Sequence, residues 1–447
     1  MEVCVVGVGY VGLVTAACFA HIGNTVVGVD DDREKVQRLL QGEVPIYEPF
    51  LDQVISQAVN EGRLTFTEKI EDGVRSCQII FICVGTPPLE HGEADLSSVE
   101  TVVQRIAEVA EGHKLIVEKS TVPVQTGFWV DRTLQLYGQK GTAEYDVASN
   151  PEFLREGSAV EDFLHPDRIV IGVERPKAEQ LLRTLYDPVI RGTFSCPIHQ
   201  KCPQAGNVPF LVTNMASAEI IKHASNSFLA TKISFINLIA ALCEKVGADV
   251  SRVAEGMGMD PRIGRAFLNA GIGFGGFCLP KDLQAFVRIG EKHGCDLRLL
   301  KEVERINEDQ INVFVEKLRE RLWIIRGKTI AVLGLSFKPN TDDIRFSPAL
   351  EVIGKLLKEG ARIKAYDPKA MAKAQHVLAS VEFCNDPYDA LDGADAAAIV
   401  TEWDEFKRLD PSRVKQKMRR PLIVDGRNIL DPEEMRSLGI EYCGIGR

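Results

Sequence analysis

The chain has 447 residues, 45% hydrophobic and 26% charged, and 53 Lys and Arg against 63 Asp and Glu leave a formal charge of −10. The length predicts about three domains, and the composition is that of an ordinary globular protein, which excludes wholesale disorder and fibrous repeats. The acidic balance argues against nucleic acid as a partner, and there is no run of about 18 uncharged apolar residues to span a membrane.

Met1-Glu2-Val3-Cys4-Val5-Val6 lacks the basic start of a signal peptide and runs directly into a strand, so no secretion is expected. Gly7-Val8-Gly9-Tyr10-Val11-Gly12 follows, then a helix from Leu13 to Ile22, a stop at Gly23-Asn24 and a second strand from Thr25 to Asp30. A G-x-G-x-x-G turn between a strand and a helix predicts a dinucleotide site. Its glycines let the backbone approach a pyrophosphate, whose charge the helix N-terminus favours. Asp30 is placed to accept from ribose hydroxyls, and with Asp31 and Asp32 it would repel a 2′-phosphate, so NAD is expected rather than NADP.

Apolar strands at 79–84, 115–117 and 168–171 continue the sheet. The first two run into Gly85-Thr86-Pro87-Pro88 and Glu118-Lys119-Ser120-Thr121-Val122-Pro123, and Asn150 to Gly157 follows another strand. Ligands of open α/β sheets sit at the carboxyl ends of strands, so Thr86 and Thr121 are expected at the cofactor. Residues 192–208 read as a surface loop. Its Cys196-x2-His199-x2-Cys202 offers three metal ligands with no fourth at matching spacing, and no metal is expected.

From Asn214 to about Lys245 the pattern predicts one apolar helix of ~48 Å, long enough to act as a spine and a subunit interface. Lys222 and Asn226 stand one turn apart on one face of it, and His223 reads as a hydrogen-bonded interior group. Near Gly327 the pattern restarts, with strands at 328–335, 362–367, 396–400 and 422–425 and a helix from Pro348 to Glu359. The fold expected is therefore α/β: two Rossmann-like doubly wound domains, 1–210 and 319–447, joined by a long helix and a helical domain over 211–318. The second sheet lacks the glycine fingerprint and would meet a nucleotide with basic residues such as Lys338, Arg345 and Arg427.

The segment Asn269 to Asp282 carries the chemistry. Gly271, Gly273, Gly275 and Gly276 build a loop whose amides can meet phosphate or sugar oxygens. Cys278 sits within it, and Asp282, four residues on, reads as the start of a helix; a thiol near a helix N-terminus tends to the reactive thiolate. Eleven scattered cysteines and no disulfide framework predict reduced thiols in the cytoplasm, most of them core residues and Cys278 the exception.

Gly273-Phe274-Gly275-Gly276-Phe277-Cys278-Leu279-Pro280-Lys281-Asp282 resembles the nucleophile loop of the UDP-glucose/GDP-mannose dehydrogenase family. The likeness runs the length of the chain. It takes in the first glycine turn, Val84-Gly85-Thr86-Pro87, Lys119 to Pro123, Asn150 to Gly157 and Glu219-Ile220-Ile221-Lys222. Asp260-Pro261-Arg262-Ile263-Gly264, Phe337-Lys338 and Asp425-Gly426-Arg427 complete it.

The resemblance implies two successive NAD-dependent oxidations of a primary alcohol, with Cys278 trapping the aldehyde as a thiohemiacetal that becomes a thioester. It gives Lys222 and Asn226 the oxyanion, Asp282 and an ordered water the protons, and Thr121 and Glu152 the hydrolytic water. Cofactor contacts are expected at Gly7, Gly9, Tyr10, Val11, Gly12, Asp30, Lys35, Thr86, Thr121, Glu156, Lys281 and Arg345. Substrate contacts are expected from Glu152, Phe153, Leu154, Arg155, Glu156, Lys222 and Asn226, and from Phe274, Gly275, Gly276, Phe277 and Cys278. Phe337, Lys338 and Arg427 would also hold substrate, and Arg262 is similar to a residue that reaches a neighbouring subunit's substrate.

UDP-glucose is the substrate expected, with GDP-mannose and UDP-N-acetylhexosamines as rivals, and a homodimer or larger homo-oligomer is implied. Two readings of other classes are a two-electron hydroxyacid dehydrogenase, which would leave Cys278 without a use, and a non-catalytic NAD-binding protein. Phe277 stands where a smaller Ser is common in the family, and Phe346 where Glu is usual.

Overall fold

The computed structural model describes residues 1–89, 92–138, 141–200, 202 and 206–447, so residues 201 and 203–205 of the loop read at 192–208 lie outside it. The chain divides into two compact units, Met1–Ser225 and Asn226–Arg447.

The first unit is built on eight strands: β1 (Glu2–Val6), β2 (Thr25–Val29), β3 (Leu64–Thr67), β4 (Ile79–Ile82), β5 (Gly112–Glu118), β6 (Ala143–Ser149), β7 (Ile169–Val173) and β8 (Phe210–Thr213). Their order is β3-β2-β1-β4-β5-β6-β7-β8. The first six follow the doubly wound arrangement, and β7 joins β6 antiparallel before β8 pairs with β7 in parallel. Helices cover both faces of such a sheet, so β1 and β4 read as continuous apolar runs with no polar alternation. Phe19, on the helix after β1, packs its ring within 5.2 Å of Phe81, Phe163 and Tyr186 and closes the core on that face.

That helix spans Tyr10–His21 and so begins inside the glycine turn, not at Leu13 as the sequence pattern predicts. Gly9 is its N-cap, and Gly12 lies in the first turn, where a Cβ would come within 1.8 Å of the Gly7 carbonyl oxygen. Only glycine permits that approach.

Below the carboxyl ends of β5 and β6 lies a buried polar layer. Glu118 accepts the Ser120 amide at 2.8 Å, the Lys119 ammonium donates to Asn150 at 3.2 Å, and Asn150 also accepts the Tyr186 hydroxyl at 2.7 Å. Burial pushes the Glu118 carboxyl up to about 8 and pulls the Lys119 ammonium down to about 8.

The second unit carries six parallel strands: β9 (Thr329–Leu333), β10 (Arg362–Tyr366), β11 (Val381–Phe383), β12 (Ala396–Ile399), β13 (Leu422–Asp425) and β14 (Glu441–Cys443). They are ordered β11-β10-β9-β12-β13-β14, which repeats the doubly wound plan. The acid that closes β10, Asp367, accepts from the Leu335 amide at 2.8 Å, the Ser336 amide at 3.0 Å and the Trp403 indole at 3.1 Å. In this sheet the carboxylate locks the turn after β9.

The predicted spine is the 32-residue helix Met215–Val246. By length and composition it could cross a membrane, yet polar side chains along it bond to other segments of the protein. Ser234 donates to the Val303 carbonyl at 2.8 Å, and Asn237 accepts the Gly271 amide at 2.8 Å.

The buried layer gives a pH signature. A glutamate at its ordinary value loses its proton near 4.5, whereas folded Glu118 keeps it to about 8. Its stabilisation is therefore complete below 4.5 and lost as pH rises to about 8. Lys119 acts oppositely: its contribution is present above 10.5 and lost as pH falls through about 8. Glu118→Gln is expected to remove the decline on the acid side of pH 8 and leave the Lys119 rise. Melting temperatures of wild type and variant across this range check it, and parallel curves would contradict the Glu118 assignment.

Candidate active site

In the first unit the glycine turn is shaped to receive a dinucleotide. Gly7 has φ +89°, and a Cβ on it would stand 2.9 Å from the Cys83 backbone, while a Cβ on Gly9 would meet nothing within 4 Å. The space over Gly9 is thus open. The helix that starts there has no side-chain cap and no acidic residue in its first turn, so its amide ends are suited to an anion.

Asp30 is 7% exposed at the end of β2. One of its oxygens accepts the Val8 amide at 2.9 Å, and the other accepts the Lys35 ammonium at 2.9 Å. Asp30 therefore orders the turn and is held in place by Lys35. Thr86 donates to the Thr121 carbonyl at 2.8 Å, joining the loops after β4 and β5. These groups fit NAD.

Glu152 and Lys222 form the electrostatic centre of this unit. They are 2.7 Å apart, and both side chains are nearly out of water. The second Glu152 oxygen accepts the Leu154 amide at 2.6 Å, and Lys222 lies 5.6 Å above the Phe153 ring. The Leu154 amide, expected to hold substrate, is thus committed to Glu152. Likewise the Arg155 guanidinium is engaged bidentately by Asp162. Glu156 is half-buried beside Tyr10.

Sequence reasoning missed Glu48. Its buried carboxylate accepts the Gly157 amide at 2.6 Å and the Ala159 amide at 2.7 Å, and it also binds the Tyr10 hydroxyl. It ties the start of the nucleotide helix to the loop that carries Glu152. No motif marks it: it sits in an irregular stretch, 38 residues from Tyr10 and 109 and 111 residues from the amides it accepts. Glu219 was part of a recognised motif but had no assigned role. It accepts the Gln125 and Gly127 amides at 2.6 and 2.9 Å and fixes the start of helix Thr126–Tyr137.

In the second unit Cys278 is the first residue of helix Cys278–Lys292 and is exposed. That helix has neither a side-chain cap nor an acidic residue in its first turn, so its dipole favours negative charge on the sulfur. One turn on, buried Asp282 accepts the Asn226 amide at 2.6 Å and pairs with Lys281 at 3.0 Å. Asn226 is thereby held in one orientation.

The glycine loop is tighter than the expectation of open ligand-binding amides. The Gly271 amide donates to Asn237, the Ile272 amide to the Gly426 carbonyl, and the Phe274 amide to Asn307, each at 2.8 Å. A Cβ on Gly275 would stand 2.2 Å from the Phe346 carbonyl oxygen, and one on Gly276 would stand 2.5 Å from the Phe337 ring. These glycines serve close approach first. Arg427 donates to the Gly273 carbonyl at 2.8 Å and the Val400 carbonyl at 2.7 Å, which pins the loop to the sheet.

Lys338 lies over the Phe337 ring at 5.5 Å. Arg345 is bound bidentately by Asp343 and sits 4.5 Å over the Phe277 ring. Phe277 faces Phe346 with centroids 6.5 Å apart, so the two aromatic departures from the family pattern pack together. Arg262 is exposed and paired with Asp260 at 2.6 Å.

Three domain models of the UDP-glucose/GDP-mannose dehydrogenase family match the chain: the NAD binding domain over residues 1–190, the central domain over 216–309 and the UDP binding domain over 331–432. The chain is 46% identical to UDP-glucose 6-dehydrogenase TuaD of Bacillus subtilis, over 100% of this chain and 93% of that protein. A UDP-glucose dehydrogenase structure from Pyrobaculum islandicum matches with a TM-score of 0.90 and 42% identity, covering 99% of this chain and 97% of that one. A UDP-D-ManNAc dehydrogenase structure from Pyrococcus horikoshii matches with a TM-score of 0.85 and 29% identity, covering 100% and 99%.

Glu48→Ala removes the carboxylate that accepts the Gly157 and Ala159 amides and binds the Tyr10 hydroxyl, leaving Gly157 only the Tyr10 oxygen at 3.0 Å. It is expected to cost about 1–3 kcal/mol of stability and to raise the KM for NAD more than it lowers kcat. Urea denaturation and cofactor-dependence kinetics check both, and an unchanged KM would contradict the positioning role.

Proposed function

Since the chain belongs to the UDP-glucose/GDP-mannose dehydrogenase family, we propose that it oxidises the C6 alcohol of UDP-glucose to the carboxylate of UDP-glucuronate. The observation that carries this reading is Cys278, exposed at an uncapped helix N-terminus with Asp282 holding Asn226 one turn away. A two-electron hydroxyacid dehydrogenase has no use for such a cysteine. UDP-glucose is favoured because identity is 46% to the named UDP-glucose 6-dehydrogenase and 29% to the named UDP-D-ManNAc dehydrogenase.

Gly7, Gly9, Gly12 and Asp30 would hold NAD, which would supply the hydride acceptor for each of the two oxidations. The Cys278 sulfur adds to the C6 aldehyde; a C–S bond forms and the carbonyl electron pair moves onto oxygen. Lys222 and Asn226 supply the ammonium and amide donors for that oxyanion, and each is held in place by a carboxylate before the reaction starts. The adduct carbon now carries a hydrogen it can give up as hydride, which leaves a thioester. Water then attacks the acyl carbon, the C–S bond breaks, and Cys278 leaves as thiolate. Glu152 is the base for that water, oriented with Thr121, and Asp282 takes up protons on the Cys278 side.

The substrate is held by residues 152–156, the loop from Phe274 to Cys278, and Phe337, Lys338 and Arg427, with Arg262 serving a neighbouring subunit's substrate. Lys281 and Arg345 complete the cofactor contacts. The three-part division at 210 and 318 describes these duties: cofactor, central and nucleotide-sugar domains. Eleven cysteines scattered along the chain with no disulfide framework support a reducing, cytoplasmic setting. On helix Met215–Val246, Phe228, Phe235, Leu238 and Leu242 are exposed at helical spacing and support a homodimer.

Two NADH are expected per UDP-glucose consumed, and a ratio of one would remove the thioester route. Cys278→Ser is expected to lower complete turnover by at least about 10³-fold while NAD binding persists; full four-electron oxidation by that variant would sink the nucleophile. Charging the apolar stripe with Phe228→Glu and Leu242→Glu is expected to shift the mass in light scattering from dimer to monomer, and an unshifted mass would place the interface elsewhere.

A further inference from the structure

We propose that the first unit binds a structural divalent metal, zinc by its chemistry, through His165, Cys196, His199 and Cys202. The local sequence shows three of these groups, and the fold supplies the fourth. His165 follows helix Ala159–Leu164, and the other three stand in the loop between helix Pro176–Arg191 and β8. One donor atom from each lies within 4.8 Å of the others.

Three of the six pairwise separations are close to those of a metal cage. His165 Nε2 is 3.2 Å from Cys196 Sγ and 3.3 Å from Cys202 Sγ, and His199 Nδ1 is 3.6 Å from Cys196 Sγ. A tetrahedral ion with bonds of ~2.3 Å to sulfur and ~2.0 Å to nitrogen sets edges of ~3.3–3.8 Å between its ligands. Two sulfurs and two imidazoles are a donor set that selects zinc over calcium or magnesium.

The surroundings point the same way. His199 turns Nδ1 to Cys196 and its other nitrogen to Glu161, 3.6 Å away, and a carboxylate on the far nitrogen is the usual support of a metal-ligating histidine. The His199 amide donates to Cys196 Sγ at 3.2 Å, which orients the sulfur within the cluster. His21, at the end of the nucleotide helix, meets the Ser195 carbonyl at 2.7 Å and holds the loop beside the cluster.

Four protein ligands leave no open position, so the ion is structural. Binding releases the two thiol protons to solvent, and two thiolates neutralise the charge of the ion. The ion would staple the loop before β8 to the end of the helix that follows the Glu152 loop.

The test uses the full chain without a polyhistidine tag. Elemental analysis is expected to find about one zinc per chain, and Cys202→Ser and His165→Gln to lose it. Wild type stripped by a chelator and loaded with cobalt(II) is expected to show the intense visible bands and sulfur charge transfer of a tetrahedral thiolate site. It is also expected to regain the melting temperature lost on stripping. Folded wild type that takes up no stoichiometric zinc and gives only weak, octahedral cobalt bands would overturn the proposal. If Cys202→Ser fails to fold, the wild-type cobalt spectrum decides by itself.

Discussion

The 2.7 Å contact between Glu152 and Lys222 is the interaction around which the first unit is arranged. An ion pair this far from water persists only when its geometry and remaining hydrogen bonds offset the loss of hydration. Glu152 meets that condition with the Leu154 amide, and Lys222 with the Phe153 ring. Everything nearby holds the pair in register. Asn150 and Tyr186 anchor the start of the loop, Glu48 anchors its end, and Glu219, one turn before Lys222 on the same helix, is locked to a third segment. A preorganised ammonium therefore already exists in the fold, which is what stabilising a developing oxyanion requires.

The two sheets share a strand order and differ in how they use the acid at the end of the second strand. Asp30 accepts one turn amide and a lysine beside a glycine turn with open space above it. Asp367 accepts amides, a hydroxyl and an indole, and is absorbed in the fold. The same topology thus yields one unit shaped for a dinucleotide and another whose ligand contacts must come from elsewhere.

The glycine loop before Cys278 shows a related economy of space. Its glycines let the chain pass over the Phe346 carbonyl and the Phe337 ring, and Arg427 fastens it from below. The loop's packing places the first turn of helix Cys278–Lys292, so Cys278 sits on a regular element and not on the loop itself.

The sequence by itself determined the βαβ turn, the long helix and the place of Cys278 outside the core, because each depends on neighbours within a few residues. It misjudged the start of the first helix, since a G-x-G turn that doubles as an N-cap breaks the apolar period used to find helices. It had no means of finding Glu48 or the partner of the Cys196–Cys202 loop. Glu48 acts on residues 109 and 111 positions away, and His165 lies 31 residues before Cys196. Such groups leave no periodic mark, and only tertiary folding decides which distant carboxylates and imidazoles share a pocket.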